Sequence, residues 1–320
     1  MNNKKALFIV SSPFQALCSL EAISHYSIDD VHYLLFEDPI VREMTLPIIK
    51  DKGLIHFVEI KDNITVSIIK ALLMGGWPER FDILFVGDYF SYGQYEAAVI
   101  KSKLGANLFY LDDGNSTLLI APPISLKRGR SKREKKYYVL WDIIAKLKNI
   151  KKHLFTIYDL NKGCPLPVEK NFFLSLAPTS TTKKGIFVIG TNSSVLSFKS
   201  GSYSQKLTRL AQFLNSIYPN ECVYYCPHRR DTNDYSDIIK SLGWELFDTK
   251  YNVEIDFVRE NMYPCCVVGF GSTALLTLKK IFQSSDVKTI YMDLELETSN
   301  KEYRSIESYY INNGIEVVHI

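Results

Sequence analysis

Short apolar runs alternate with longer stretches whose apolar positions recur at helical spacing, from one end of the chain to the other. Residues 6–10, 31–36, 55–60, 83–86 and 108–111 read as strands in the first half, and 185–189, 222–225, 265–269 and 289–292 repeat the theme in the second. Between them, 13–26, 39–50, 64–74, 92–104, 203–216, 236–242 and 273–283 carry helix-like spacing. Strand and helix in alternation is the pattern of parallel sheets joined by crossover helices, so the expected class is α/β.

The two series are separated by 161–184, which holds three prolines, a glycine and the polar run 178–184 and reads as a linker. The expected organisation is an N-terminal Rossmann-like domain over 1–160, the linker, and a C-terminal Rossmann-like domain over 185–320, with a cleft between the two lobes. A length of 320 residues, 46% hydrophobic and 23% charged, suits two such domains. No apolar run approaches the ~18–20 residues that cross a bilayer, and the opening MNNKKALFIVSSPFQ lacks the long apolar stretch of a signal peptide, so a cytoplasmic protein is expected. The six cysteines are thinly spread. Cys265 and Cys266 are adjacent rather than spaced as zinc ligands, which argues for free thiols and against a structural metal.

In open parallel sheets ligands bind beyond the carboxyl ends of the strands, where loops and helix N-termini converge. Five polar clusters follow apolar runs directly: 11–15, 112–115, 190–194, 227–231 and 269–273. Asp112 and Asp113 are adjacent at a strand end, where alternation points neighbouring side chains in opposite directions. At most one then faces a substrate, and a plain Asp-Gly turn is the competing account. His228 is flanked by Arg229 and Arg230, so a phosphate or carboxylate there would meet three donors; a surface loop histidine is the alternative. His25, His32, His56, His153 and His319 have no comparable surroundings. Ser272 and Thr273 stand between a glycine-containing turn and an apolar helix, which fits an N-cap that also holds a phosphate, and equally a cap alone. The P-loop, the three-glycine dinucleotide fingerprint and the Gly-x-Ser-x-Gly elbow are all absent from the sequence.

Tyr110-Leu-Asp-Asp-Gly114, Tyr225-Cys-Pro-His228 and Gly269-Phe-Gly-Ser-Thr-Ala-Leu275, in that order and separation, resemble the three motifs of bacterial CMP-sialic-acid-dependent sialyltransferases of the lipooligosaccharide and polysialyltransferase kind. Ser11-Ser-Pro-Phe-Gln15 also looks like their opening. The resemblance implies two Rossmann-like lobes of the GT-B glycosyltransferase type, a nucleotide held mainly by the second lobe, and no metal. It makes Asp113 the general base toward the acceptor hydroxyl and sets His228 on the leaving phosphate. Ser272, Thr273, Gly271, Arg229, Gly190 and Asn192 fall on the nucleotide side, and Asp112, Gln15 and Ser12 on the acceptor side. Two departures stand out. Arg229 replaces the usual proline after the histidine, and 181–220 lacks the acidic residue that some relatives carry after the second lobe's first strand. The expected reaction moves sialic acid from CMP-sialic acid to a sugar hydroxyl of a bacterial surface glycan, lipopolysaccharide, O-antigen or capsule, with inversion. The leaving monophosphate ester is one that an imidazole, a guanidinium and a helix N-terminus stabilise without Mg²⁺. Another CMP-activated acidic sugar, Kdo or legionaminic acid, would use the same groups.

Net charge is +3, yet 127–152 holds eleven Lys or Arg against Glu134 and Asp142, a local excess of nine. These charges interleave with Tyr137, Tyr138, Val139, Leu140, Trp141, Ile143, Ile144 and Leu147, as in a basic amphipathic helix on an anionic membrane surface. Peripheral attachment to the inner face of the inner membrane, where a lipid-linked acceptor is displayed, is the corresponding expectation. A solvated helix face is the plainer one. A nucleic-acid-binding protein using the same patch is the rival from another class, and it leaves Asp113, His228 and Ser272 unexplained.

Overall fold

The computed structural model describes residues 4–36, 39–58, 79–120, 132–160, 163–176, 185–195, 201–228, 231–260, 262–270, 272–282, 288–293 and 301–319. The helix expected over 64–74 lies outside them. The chain divides into two compact units, Met1–Ser175 and Leu176–Ile320.

In the first unit the order is β1 (Lys5–Val10), α1 (Pro13–Tyr26), β2 (Asp30–Phe36), α2 (Pro39–Ile49), β3 (Leu54–Val58), β4 (Phe81–Val86), α3 (Tyr92–Lys101), β5 (Ser102–Tyr110), a 3₁₀ turn (Ser116–Ile120), α4 (Lys132–Leu147), β6 (Lys151–Thr156) and β7 (Val168–Lys170). The seven strands form one parallel sheet in the order β3-β2-β1-β4-β5-β6-β7. Chain order therefore reverses between β1 and β4, the switch point of a doubly wound fold. Ala6–Val10 are wholly buried because helices cover both faces, which is why β1 is written as an unbroken apolar run. Register is fixed by a row of rings across five strands. Tyr33, Phe8, Phe85, Phe109 and His153 are successive cross-strand partners, with centroids 5.3, 4.4, 5.1 and 4.9 Å apart. Tyr26, from the last turn of α1, packs on Phe85 and Phe109 and donates its hydroxyl to Glu169 on β7 at 2.7 Å.

The second unit runs β8 (Ile186–Ile189), α5 (Tyr203–Ile217), β9 (Val223–Cys226), α6 (Ser236–Ser241), β10 (Glu245–Leu246), α7 (Val253–Arg259), β11 (Cys266–Gly269), α8 (Thr273–Ile281), β12 (Lys288–Asp293), α9 (Lys301–Asn312) and β13 (Glu316–His319). Its six parallel strands lie in the order β10-β9-β8-β11-β12-β13, again reversing beside the first strand, here between β8 and β11. Leu207, Leu210, Ala211 and Leu214 of α5 pack with Ile186, Val188, Val223, Tyr225 and Val268. Phe187, on the sheet face opposite Ile186 and Val188, stacks on Tyr224 and meets Phe257 of α7 edge-on. A capping box starts α5: Ser202 accepts from the Gln205 N–H at 3.3 Å, and the Gln205 side chain accepts from the Ser202 N–H at 2.9 Å.

Two expectations change. The stretch 161–184 is not all linker: Val168–Lys170 form the edge strand β7, and the first unit extends to Ser175. Buried Glu21 of α1 secures this extension by accepting from the backbone N–H groups of Leu174 and Ser175, at 2.9 and 3.0 Å, and from the Ser175 hydroxyl. The helix expected over 92–104 ends at Lys101, and β5 begins at once, with Gly105 at φ +74° early in the strand.

Candidate functional site: the carboxyl edges of the two sheets

Because the first sheet is parallel, the loops after β1, β4 and β5 lie along one edge. Ser12 caps α1 by accepting from the Gln15 N–H at 3.2 Å, with Pro13 at the first helical position. That places Gln15 on the first turn, directly beyond the end of β1. The Gln15 side-chain oxygen accepts from the Ser11 N–H at 2.7 Å, which leaves its NH₂ to donate to Asp113 Oδ1 at 2.8 Å. The amide lies against the Cα of Gly87 after β4, where an added Cβ would sit 2.0 Å from Gln15 Oε1. A second glutamine supports the first. Gln94, near the start of α3, donates to the Ser11 hydroxyl at 2.8 Å and accepts from the Asp88 N–H at 2.9 Å, and the Ser11 hydroxyl lies 3.2 Å from Gln15 Oε1. Both glutamines are buried.

Asp113 is half-buried and held on every side. Its N–H donates to Thr117 Oγ1 at 3.1 Å, and Oδ2 accepts from the Ser116 hydroxyl at 3.2 Å. Gly114 then takes φ +62°, the left-handed conformation that glycine adopts without strain. Asp112 behaves differently. It has no exposed surface; Oδ2 accepts from the Ile157 N–H at 2.8 Å and Oδ1 from the Thr156 hydroxyl, both at the end of β6. Burial pushes its carboxyl up to about 7, against the pull of the Thr156, Ile157 and Thr117 hydrogen bonds. Asp112, the acceptor-side candidate beside Asp113, has its carboxylate engaged at the end of β6, where it braces β5 against β6.

On the second sheet the loops after β8, β9 and β11 likewise share one edge. Gly190 follows β8 and leaves no room for a side chain, since an added Cβ would lie 2.7 Å from the Tyr225 hydroxyl and 2.9 Å from the Cys226 carbonyl. Ser193 joins two of the loops: its N–H and hydroxyl donate to Asp231 Oδ2 at 3.1 and 2.6 Å, and its oxygen accepts from Asn233 Nδ2 at 3.2 Å. The Asp231 N–H donates to the carbonyl of the half-buried His228 at 2.8 Å. Asn192 is half-buried and accepts from the Ser194 hydroxyl at 2.6 Å. Ser272 caps α8 by accepting from the Ala274 N–H at 3.3 Å, and Thr273 opens the helix, which aims its N-terminus at this edge. Gly269 lets α8 approach, an added Cβ there meeting Leu275 at 3.2 Å.

Gln15, Ser12 and Asp113 are thus brought together on the first edge, and Gly190, Asn192, His228, Ser272 and Thr273 line the second. Arg229 and Gly271 lie outside the described residues. Ser11, Ser193 and Asp231 appear in the sequence only as members of polar clusters, and Gly87, Gln94 and Ser116 do not stand out; all six hold the others in place. Asp231 and Ser193 stood in polar clusters after strands, a signal that was available; Gln94 is a helix residue whose partner in the fold no local pattern reveals. Among the described residues no three His, Cys, Asp or Glu gather in a way that holds a metal ion.

No family model and no curated protein matches the chain by sequence. Solved structures do match by shape. An α/β-galactoside α-2,3-sialyltransferase from Photobacterium phosphoreum superposes with a TM-score of 0.59 at 13% identity, covering 100% of this chain and 99% of that one. The GT-B domain of a sialyltransferase from Photobacterium damselae gives 0.57 at 12%, with 99% of each chain covered. The UDP-GlcNAc 2-epimerase of Neisseria meningitidis bound to UDP-GlcNAc gives 0.54 at 12%, covering 98% of this chain and 87% of the other. At such identities the likeness establishes the fold, two Rossmann-like α/β units of the GT-B type, and leaves the chemistry to the residues.

Proposed function

We propose that the protein is a metal-independent, inverting glycosyltransferase that moves a sialic acid from CMP-sialic acid to a sugar hydroxyl of a bacterial surface glycan. The observation that carries the reading is Asp113: a half-buried carboxylate at the carboxyl edge of the first sheet, oriented by a buried glutamine amide and a serine hydroxyl. A carboxylate fixed in this way accepts the proton of an attacking hydroxyl without reorganising. In this reading the second unit holds the donor. His228 and the N-terminus of α8 at Ser272 and Thr273 take up the charge of the departing CMP phosphate. Asp113 takes the acceptor proton as the new glycosidic bond forms and the anomeric carbon–phosphate oxygen bond breaks. The matched folds include both sialyltransferases and a UDP-sugar enzyme, so the test must offer both donor classes. Purified protein is incubated with CMP-sialic acid, other CMP-activated acidic sugars and UDP-sugars against galactosides and sialosides, with and without EDTA, and products are weighed by mass spectrometry. The expected result is one sialyl mass increment from CMP-sialic acid that EDTA leaves intact; transfer from a UDP-sugar alone overturns the reading.

A further inference from the structure

We infer that the outer face of α4, together with Leu104, is a seat for an anionic lipid bilayer. The inner face of α4 is settled by its contacts. Ala145 is buried, the Trp141 indole donates to the buried Glu96, and Lys148 Nζ donates to the carbonyls of Val99 and Ser102 at 2.6 and 2.9 Å. The opposite face is aliphatic and open to solvent: Val139 is 56%, Leu140 51%, Ile143 49% and Leu147 78% exposed. At about 100° per residue these four fall within one arc roughly 100° wide, directly across the helix from Ala145 and Trp141. Leu104, 81% exposed, stands near the C-terminal end of the helix, where the neighbouring Gly105 N–H donates to the Lys148 carbonyl at 2.8 Å. Scattered surface leucines need no explanation, but four exposed aliphatic side chains on one helix face do.

Charge identifies the occupant. The stripe lies inside the segment 127–152 with its excess of nine positive charges. Asp142 is already engaged by Lys146 and Lys152, so it offers the surroundings little free negative charge. A second copy of the chain seated here would bring two such excesses together. A nucleic acid would answer the charge and leave the aliphatic stripe without a role. An anionic membrane answers both: aliphatic side chains enter the headgroup–acyl boundary while lysines remain at the phosphates. No helix among the described residues is long and apolar enough to cross a membrane, so the helix would lie in the interface.

The test is co-sedimentation of the full chain with vesicles of phosphatidylcholine alone or mixed with phosphatidylglycerol, at low and high salt. The wild type should pellet with the mixed vesicles only, and less at high salt. The charge-conserving variant Leu140→Ser/Ile143→Ser/Leu147→Ser should bind about tenfold less or weaker still, with an unchanged melting curve. Should that variant fold poorly, Leu147→Ser alone, at the last helical residue, should lose roughly threefold. Three results overturn the inference: no pelleting with anionic vesicles at low salt, pelleting unaffected by the serine variants, or a wild-type dimer that the serine variants dissolve. None depends on the transfer reaction, so failure here and failure of the proposed activity are read separately.

Discussion

The two units share one scaffold and differ in what stands at its carboxyl edge. Both sheets are parallel, both reverse beside their first strand, and both place a helix N-terminus close to that point. At the first edge the groups are a carboxylate and two amides, tied into a chain of hydrogen bonds from Asp88 through Gln94, Ser11 and Gln15 to Asp113. At the second they are a glycine without room for a side chain, an imidazole and two hydroxyls at a helix start. On the proposed reading, one edge accepts a proton and the other receives an anion. The strands contribute position, and the few residues after each strand decide the chemistry.

This contrast breaks most sharply at Asp113. Asp113→Asn keeps the shape and removes the proton acceptor, so transfer should fall by about 10²–10⁴-fold while CMP binding by titration calorimetry stays near wild type. Gly87→Ala comes next: its methyl group and the Gln15 amide cannot share the same space, Gln15 must leave, and Asp113 loses its orientation. A fall in kcat of about 10²-fold with KM for the donor unchanged is expected. On the opposite edge the signature should invert. If the proposed phosphate site is right, Ser272→Ala, which removes the α8 cap, should raise the donor KM roughly tenfold and cost about 1 kcal/mol of stability by denaturant melt.

The smallest effect separates Asp112 from its neighbour. Its carboxyl is raised by burial to about 7 and therefore keeps its proton in the fold at pH values where the unfolded chain has already lost it. Stability should consequently decline as pH climbs from about 4 to about 7 and level off above. Asp112→Asn should flatten part of that slope in thermal melts without altering the pH dependence of transfer. The buried Glu96, also raised to about 7 by burial, leaves the remainder.

The strands covered on both faces were legible because burial writes them as unbroken apolar runs, as in Ala6–Val10, Ile186–Ile189 and Cys266–Gly269. What escaped the pattern lies toward the sheet margins. β6 opens with Lys151, Lys152 and His153, β7 is Val168–Lys170 with a glutamate at its centre, and β10 and β13 are short and half polar. Edge strands meet solvent along one side and need no continuous apolar code. The helices α7 and α9 were missed as well, both rich in charge. Missing β6 also hid the partners of Asp112, whose carboxylate accepts from Thr156 and Ile157. Asp113, His228 and Ser272 stood out because each follows an apolar run directly. Gln94 did not, because its meaning lies in a partner far away in the chain.

The reversal beside β1 also bears on how the polypeptide is made. β1 is flanked by β2 on one side and β4 on the other, so its second flank stays open until Phe81–Val86 have left the ribosome. During that interval a nascent chain displays Ala6, Leu7, Phe8, Ile9 and Val10 on an unfinished ledge, a place for chaperones to bind and for premature pairing between neighbouring nascent chains to begin.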